Sequence, residues 1–588
     1  MGFSVHPYTL VRRLVLVALA LTAAIPVAAQ QHRHQVMSRA DRTVKASGFK
    51  LLTTARAVPL TVNMTAFNQV AAANLQLTGV PITAQKSVDL DLQEFSVLDA
   101  DSKVGYTDET GRHLIENLSI RTYRGTVAGE ENSSVFLAFA NNTIVGLITT
   151  DGIPYQISTD FDAPKRDGQV AAVSFPTSDL PDRKFECGLK DLPFTKEQQE
   201  MIHAGENGLM SAGECPTILY AIRGAYDADF ELYQDFLGQD EGGAEGALSY
   251  MIGLVAGQST IFERDARFQI VVSHMNVWAI PGDPYTETAF MPIALDQAEA
   301  VWNGAPYSTI DRGFTQVLSG KDWSGIIGIA NGFELICDQS QSITFQLIKN
   351  WDPIGGIAVL SHELGHLTGL RHTHSCTWAP HIDECAASES GSCFAGTTLS
   401  EGTIMSYCKQ LLMKIHPRQI PFLRDQVERW SACRTDSRKL EISKTLLSYP
   451  VTDLNVPIDS TFQFFFINRS KTPVTVSRIA LEGDIYNQFE VIEPTTPFVV
   501  SSCDSMGLRL KFKAERDTTH RARMFIFHDG MNVIVPSQQQ HFVVDVEAHA
   551  KNDVPSFGFR AQGAGRINFG EVKVDAIVDT VFKGDKAL

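Results

Sequence analysis

The run His362-Glu363-Leu364-Gly365-His366-Leu367-Thr368-Gly369-Leu370-Arg371-His372 decides how this chain is read. Ile357, Leu360, Leu364 and Leu367 recur at spacings of three and four, which predicts that the run begins as a helix. Residues four apart share a helix face, so His362 and His366 meet at one point. Glu363 stands one residue along, placed to reach a water at that point rather than the ion itself. Gly369 lets the backbone leave the helix through a conformation other residues avoid, and the chain can then return His372 as a third nitrogen. Three protein nitrogens with one open position is the ligand count of a catalytic zinc rather than a structural one. The alternative is a core helix with scattered histidines. It requires three histidines, a glutamate and a glycine to fall at fixed offsets by chance, at a rate on the order of 10⁻⁴.

The rest of the chain sets the context. Its 588 residues are too many for one hydrophobic core, and roughly 150 residues per domain suggests about three or four units. With 44% hydrophobic and 20% charged residues, long disorder is not expected. A net charge of −17 argues against nucleic acid as a partner, since such proteins carry a basic footprint. Residues 1–29 read as a signal peptide: Arg12 and Arg13, the apolar run Leu14 to Ala24, then Pro26 and Val27-Ala28-Ala29 before Gln30. The alternative is a retained anchor, but the run is short for a bilayer. No later segment is long and apolar enough for an integral membrane span, so an exported protein is expected, in a compartment where disulfides persist. Nine cysteines then leave at least one thiol unpaired or paired between chains.

Texture divides the chain further. Residues 30–212 open with strand-like stretches, Val88 to Leu92, Tyr123 to Val127 and Ile144 to Ile148, and end in a polar segment, Lys190 to Gly213, expected to be an exposed connector. Residues 213–435 alternate. Thr217 to Ile222 reads as a strand, Asp227 to Ile261 as helical, and Phe268 to Val272 as a second strand, which defines an α/β unit. Residues 436–550 return to short strands, among them Phe462 to Phe466, Val474 to Val476 and Phe542 to Val546, as in a β-sandwich. Residues 551–588 weakly echo the start of that unit, with Ile567 to Val572 resembling Leu447 to Val451.

About thirty residues beyond the histidines comes Gly402-Thr403-Ile404-Met405-Ser406-Tyr407. The pairing of H-E-x-x-H-x-x-G-x-x-H with a later methionine turn is the metzincin signature. Gly325 to Ala330 before Cys337, Cys376 after the third histidine, and the Thr-Ile-Met-Ser turn resemble the reprolysin-like, adamalysin-type branch over about Cys215 to Cys433. Thr373 departs from that branch, which usually has Asp after the third histidine. The resemblance implies a multidomain chain: a β-rich propeptide, an α/β metzincin catalytic domain, and a C-terminal immunoglobulin-like β-sandwich. It implies that Met405 forms an apolar floor under the ligands. It also implies that Gly325 to Ala330 is the edge strand receiving the substrate backbone by strand addition. Tyr407 is shared with astacin-like and serralysin-like enzymes, where it assists at the metal; a packed core tyrosine is the alternative.

The expected activity is that of a secreted zinc endopeptidase of bacterial type, acting on protein or peptide. One catalytic Zn²⁺ activates a water, and Glu363 serves as general base. Calcium is a further ion the sequence leaves open. Cys187, in Phe185-Glu186-Cys187-Gly188, resembles the cysteine that occupies the open zinc position in metzincin zymogens; a disulfide to Cys215 is the alternative. By resemblance the bridges are Cys337–Cys433, Cys376–Cys408 and Cys385–Cys393, with Cys215 and Cys503 unassigned. His374 and His381 fall off the ligand spacing and read as surface or loop residues. The residues Leu411-Leu412-Met413 weakly suggest an apolar cleavage preference. The sandwich is expected to bind a surface, a glycan or a protein partner. Two rivals are an inactive adhesion protein, whose usual mark is a missing ligand or glutamate, and a zinc amidase acting on cell-wall peptides.

Overall fold

The computed structural model describes residues 33–551, apart from 46–50, 52–55, 72–73, 141–142, 164–165, 181–185, 207–217, 238–241, 324, 351, 381, 387–401, 409–411, 437–439, 461–463 and 531–540. The signal peptide and the echoing C-terminal repeat therefore lie outside the described residues. Among the described residues, no helix is long and apolar enough to cross a membrane.

The N-terminal strands form one ten-stranded, mostly antiparallel sheet, whose members include Ser87–Phe95, Ile120–Val127, Glu130–Ala140 and Ile144–Thr150. Period-two alternation does the work here. Val88, Leu90 and Leu92 point to one face and enter a core with Leu60, Leu77, Tyr123 and Phe139.

The second unit is a mainly parallel sheet whose central strands are Ile343–Leu347, Phe314–Ser319, Tyr220–Ala228 and Phe268–Trp278. Gly328–Ala330 closes one side, antiparallel to Ile343–Leu347. Parallel strands covered on both faces read as unbroken apolar runs, and Phe268 to Val277 is buried at every position. The helices Gly243–Ala266 and Pro353–Leu367 pack against each other beneath this sheet. The second starts cleanly: Asp352 accepts from the Gly355 N–H at 3.1 Å, and Pro353 takes a first-turn position where its missing donor costs nothing.

Three expectations need correction. The strand expected over Thr217 to Ile222 is Tyr220–Ala228, reaching into the stretch read as helical, so the helical segment starts only at Phe230–Gln234 and Gly243–Ala266. The connector is not wholly exposed. Lys196–Glu206 is a helix on Ile420–Arg429, and Phe194 and Ile202 are buried because each finds an apolar pocket the polar local sequence does not advertise. The parallel sheet also does not stop at the boundary near residue 212: the hairpin Leu98–Asp108 and Gly111–Leu114 extends it beyond Phe268–Trp278.

Residues 440–551 form three further sheets around a separate core that includes Phe464, Phe466, Phe512, Met524, Val544 and Val546. Strands Val474–Glu482, Thr519–His528 and His541–Lys551 lie side by side and antiparallel, with strict alternation of buried and half-exposed residues in the last two.

Candidate metal centre

The helix Pro353–Leu367 delivers His362, Glu363 and His366, all fully buried. It ends at Thr368, and Gly369 follows with φ of +101°. A Cβ there would sit 2.7 Å from Glu334 Cγ, so both the conformation and the space require glycine. The reversal brings His372 back over the helix, with ring centroids 5.2 Å from His362 and 4.6 Å from His366.

Each imidazole is oriented through Nδ1. His362 donates to the Ile404 carbonyl at 2.7 Å, His366 to the Leu370 carbonyl at 2.9 Å, and His372 to Asp191 Oδ2 at 3.0 Å. The Nε2 atoms are thereby left as lone-pair donors facing one another; those of His362 and His366 lie 3.1 Å apart. Burial and the neighbouring histidines hold His362 well below the usual imidazole range. Burial also pushes His366 down to about 3, so both stay neutral, as ligands must. His372 Nε2 and Glu363 Oε1 are buried with no hydrogen-bond partner among the described residues. Buried polar atoms in that state are costly unless something occupies the space between them. The donor set suits zinc: three imidazole nitrogens and one sulfur, Cys187, have ligand atoms all within 4.8 Å of one another.

Met405 lies beneath the ligands. A Cβ on Gly365 would fall 2.4 Å from its sulfur, so the glycine between the two histidines is what admits the methionine. Its carbonyl accepts from both the N–H and the hydroxyl of Thr373, at 3.0 and 3.1 Å, which ties the turn to the third histidine. Thr373 thus has a local task of its own. The Tyr407 ring stands 4.8 Å from His372 and 4.5 Å from His374, and its hydroxyl accepts from the Cys187 N–H at 2.9 Å.

Cys187 is a free, buried thiol, not bridged to Cys215. Its sulfur donates to Glu363 Oε2 at 3.5 Å, and burial, then the adjacent carboxylate, pushes the thiol well up. Burial also raises Glu363 to about 8. The backbone around Cys187 lies along the outer edge of Gly328–Ala330: the Ile327 N–H reaches the Glu186 carbonyl at 3.0 Å, and the Gly188 N–H reaches the Gly328 carbonyl at 2.9 Å.

Two residues at the site went unread in the sequence. His374 is not a surface residue: it is fully buried and stacks on His372 at 4.9 Å, because the segment after His372 turns inward. His381 lies outside the described residues. Asp191 holds His372 from a distant segment, and its only local signal is its place four residues after Cys187. The bridges are also partly different. Cys337–Cys433 forms, but Cys385 joins Cys408, so Cys376–Cys408 and Cys385–Cys393 are both excluded. Cys376 and Cys503 are themselves disulfide-bonded.

Residues 248–373 match the family of reprolysin-like metallo-peptidases, M12B. Over this segment the chain is similar to the reprolysin-like metzincin metallopeptidases. Among solved structures it is similar to metalloproteinase-II from Bacteroides fragilis, at 9% identity over 57% of this chain and 86% of that one, with a TM-score of 0.32. A PapD-like domain of human CEP192 matches 20% of this chain and 87% of its own length, at 13% identity and a TM-score of 0.16. No curated protein sequence matches the chain.

Proposed function

We propose that this chain is a secreted zinc endopeptidase, made as a zymogen, with Glu363 as general base and Cys187 as the group that keeps it latent. The observation that carries the reading is the convergence of three imidazole nitrogens on a buried point beside Glu363 Oε1, which has no partner among the described residues. His362, His366 and His372 would hold the ion. Zinc, when bound, supplies Lewis acidity that acidifies water and polarises a peptide carbonyl. Glu363 accepts the water proton and passes it to the leaving amine, a shuttle favoured by a carboxyl whose proton affinity burial has raised towards neutrality. The outer edge of Gly328–Ala330 offers the backbone groups that align a peptide substrate, and the Tyr407 hydroxyl stands ready beside the ligands. Residues 186–188 cover both the edge and the glutamate. The C-terminal sheets are read as an immunoglobulin-like module for a surface, glycan or protein partner.

The test uses unfolded casein and four full-length proteins: wild type, Glu363→Ala, Cys187→Ala and the double variant, each with and without a zinc chelator. Cys187→Ala is expected to cleave without prior processing, and the chelator to abolish cleavage. Adding Glu363→Ala should lower the rate by about 10²–10⁴-fold while zinc stays bound. Cleavage that survives Glu363→Ala would defeat the assignment of the base, and a silent Cys187→Ala chain that becomes active on processing would defeat the switch.

A further inference from the structure

The N-terminal region is built into the catalytic unit at two places far from the zinc ligands. The first is the sheet. Strand Leu98–Asp108 pairs in parallel with Phe268–Trp278, residues Lys103 to Thr107 standing opposite His274 to Trp278. The pairing is closed by Val272 N–H to the Val97 carbonyl and Ala279 N–H to the Thr107 carbonyl, both at 2.7 Å. Ser102 Oγ donates to the Val272 carbonyl at 2.6 Å, and Arg223 grips Asp99 with two nitrogens, at 2.6 and 3.3 Å.

The second is the helix Gly243–Ala266. Residues 246–259 are buried without a break. Fourteen consecutive buried residues span nearly four turns, so every side of the helix is covered. The parallel sheet and Pro353–Leu367 cover part of it; the large N-terminal sheet covers the rest. A Cβ on Gly253 would meet Ala138 and Val145, and one on Gly257 would lie 3.3 Å from the Phe136 ring. Phe95, Val97, Val104, Phe136, Ala138 and Val145 share one continuous core with apolar residues of the catalytic unit such as Leu254 and Leu364, and Arg124 pairs with Glu263 at the helix end.

We propose that residues 33–180 remain bound to the catalytic unit after the chain is cut between Glu206 and Ile218, and that activation withdraws only the arm of residues 186–206. Departure of the whole region would bare an unpaired strand edge at Phe268–Trp278 and an apolar helix face, both of which invite association. The arm adds no strand longer than a bridge and no shared sheet: it is held by the backbone pairing at Glu186 to Gly188, Cys187 against Tyr407 and Glu363, Asp191 on His372, Arg371 on the Leu192 carbonyl, Gln198 with Glu334, Phe194 against Trp378 and Phe422, and one helix-on-helix contact. The N-terminal region is thus a permanent non-covalent domain, and residues 186–206, still joined to its C-terminal end, are the part that moves. The word activation rests on the latency reading above; the docking itself is read by mass alone.

The experiment takes the full chain carrying Glu363→Ala, to prevent self-digestion, with residues 208–212 replaced by a recognition sequence for a site-specific protease. After cutting, size exclusion with mass detection is expected to return both fragments in one species in native buffer and to separate them only in urea. Separation in native buffer, with the catalytic fragment soluble or precipitated, overturns the proposal. A second chain adds Asp99→Ala and Val104→Ala, which remove one ion pair and one buried contact of the strand. Its cut fragments should associate about tenfold or more weakly. Unchanged association would show that the hairpin does not hold the fragment.

Discussion

At the residue scale the site depends on what is missing as much as on what is present. Gly328 is on the edge strand, and a Cβ there would fall 2.2 Å from Glu363 Oε1 and 2.8 Å from its carboxyl carbon. The carboxylate would have to rotate out of that place, while the histidines, held through their own Nδ1 contacts, would not move. Gly328→Ala in the Cys187→Ala background is therefore expected to lower peptide hydrolysis by about 10²-fold, the scale of a misplaced catalytic group. Zinc content, measured by competition with a chromogenic chelator, should be unchanged. An unaltered rate would mean that Glu363 acts from another rotamer. That His362, His366, His372 and Met405 come together was legible because the pattern is local: a helical repeat, a glycine exit and a turn motif lie in plain order along the chain. Asp191 and His374 were not, because nothing in a sequence says which distant carboxylate will face a given imidazole, or that a loop will fold inward.

Elements were legible wherever one period held over their length. The alternation of Ser87–Phe95 and the apolar continuity of Phe268–Trp278 announce a half-buried antiparallel strand and a fully buried parallel one. The helix Lys196–Glu206 was hidden because its composition is polar and its burial comes from a few side chains, with Phe194 just ahead of it. Cross-links follow the same logic. Cys337 and Cys433 are 96 residues apart and join the segment after Gly328–Ala330 to the end of the unit, a pairing few rivals contest. Cys376, Cys385, Cys393 and Cys408 crowd into one stretch, where spacing cannot choose among partners. A loop of that length constrains the unfolded chain strongly. Replacing both Cys337 and Cys433 by serine is expected to cost about 3–5 kcal/mol, read as a lower urea midpoint of tryptophan emission. A shift under about 1 kcal/mol would mean the unfolded state was already restrained by other means.

Over the whole molecule the sequence divided the chain by texture, whereas the structure divides it by cores, and the two disagree where a strand is lent across a boundary. Leu98–Asp108 is polar over most of its length and buried only at Val104 and Gly105, so nothing in it reveals that its partner lies about 170 positions away in another unit. The C-terminal sheets do keep a core of their own, which permits them to unfold as a separate step. That core contains a sensor of acid. His528 is buried against Phe542 at 4.6 Å, and burial lowers it from its ordinary 6.5 to about 4. An unfolded chain takes up this proton near pH 6.5, but the folded sandwich does not until about pH 4. The contribution to stability is therefore complete above pH 6.5, declines as the pH falls towards 4, and then levels off, a loss on the order of 3 kcal/mol. All six tryptophans lie between Trp278 and Trp430, so their emission follows the catalytic unit, while far-ultraviolet circular dichroism follows both units. Between pH 7 and 4.5 the dichroism step not shared with tryptophan emission should move to lower urea in the wild type. In His528→Leu that part of the movement should vanish. An equal shift in both proteins would place the acid sensitivity in another group, and a single coincident transition by both probes would show that the sandwich unfolds together with the catalytic unit.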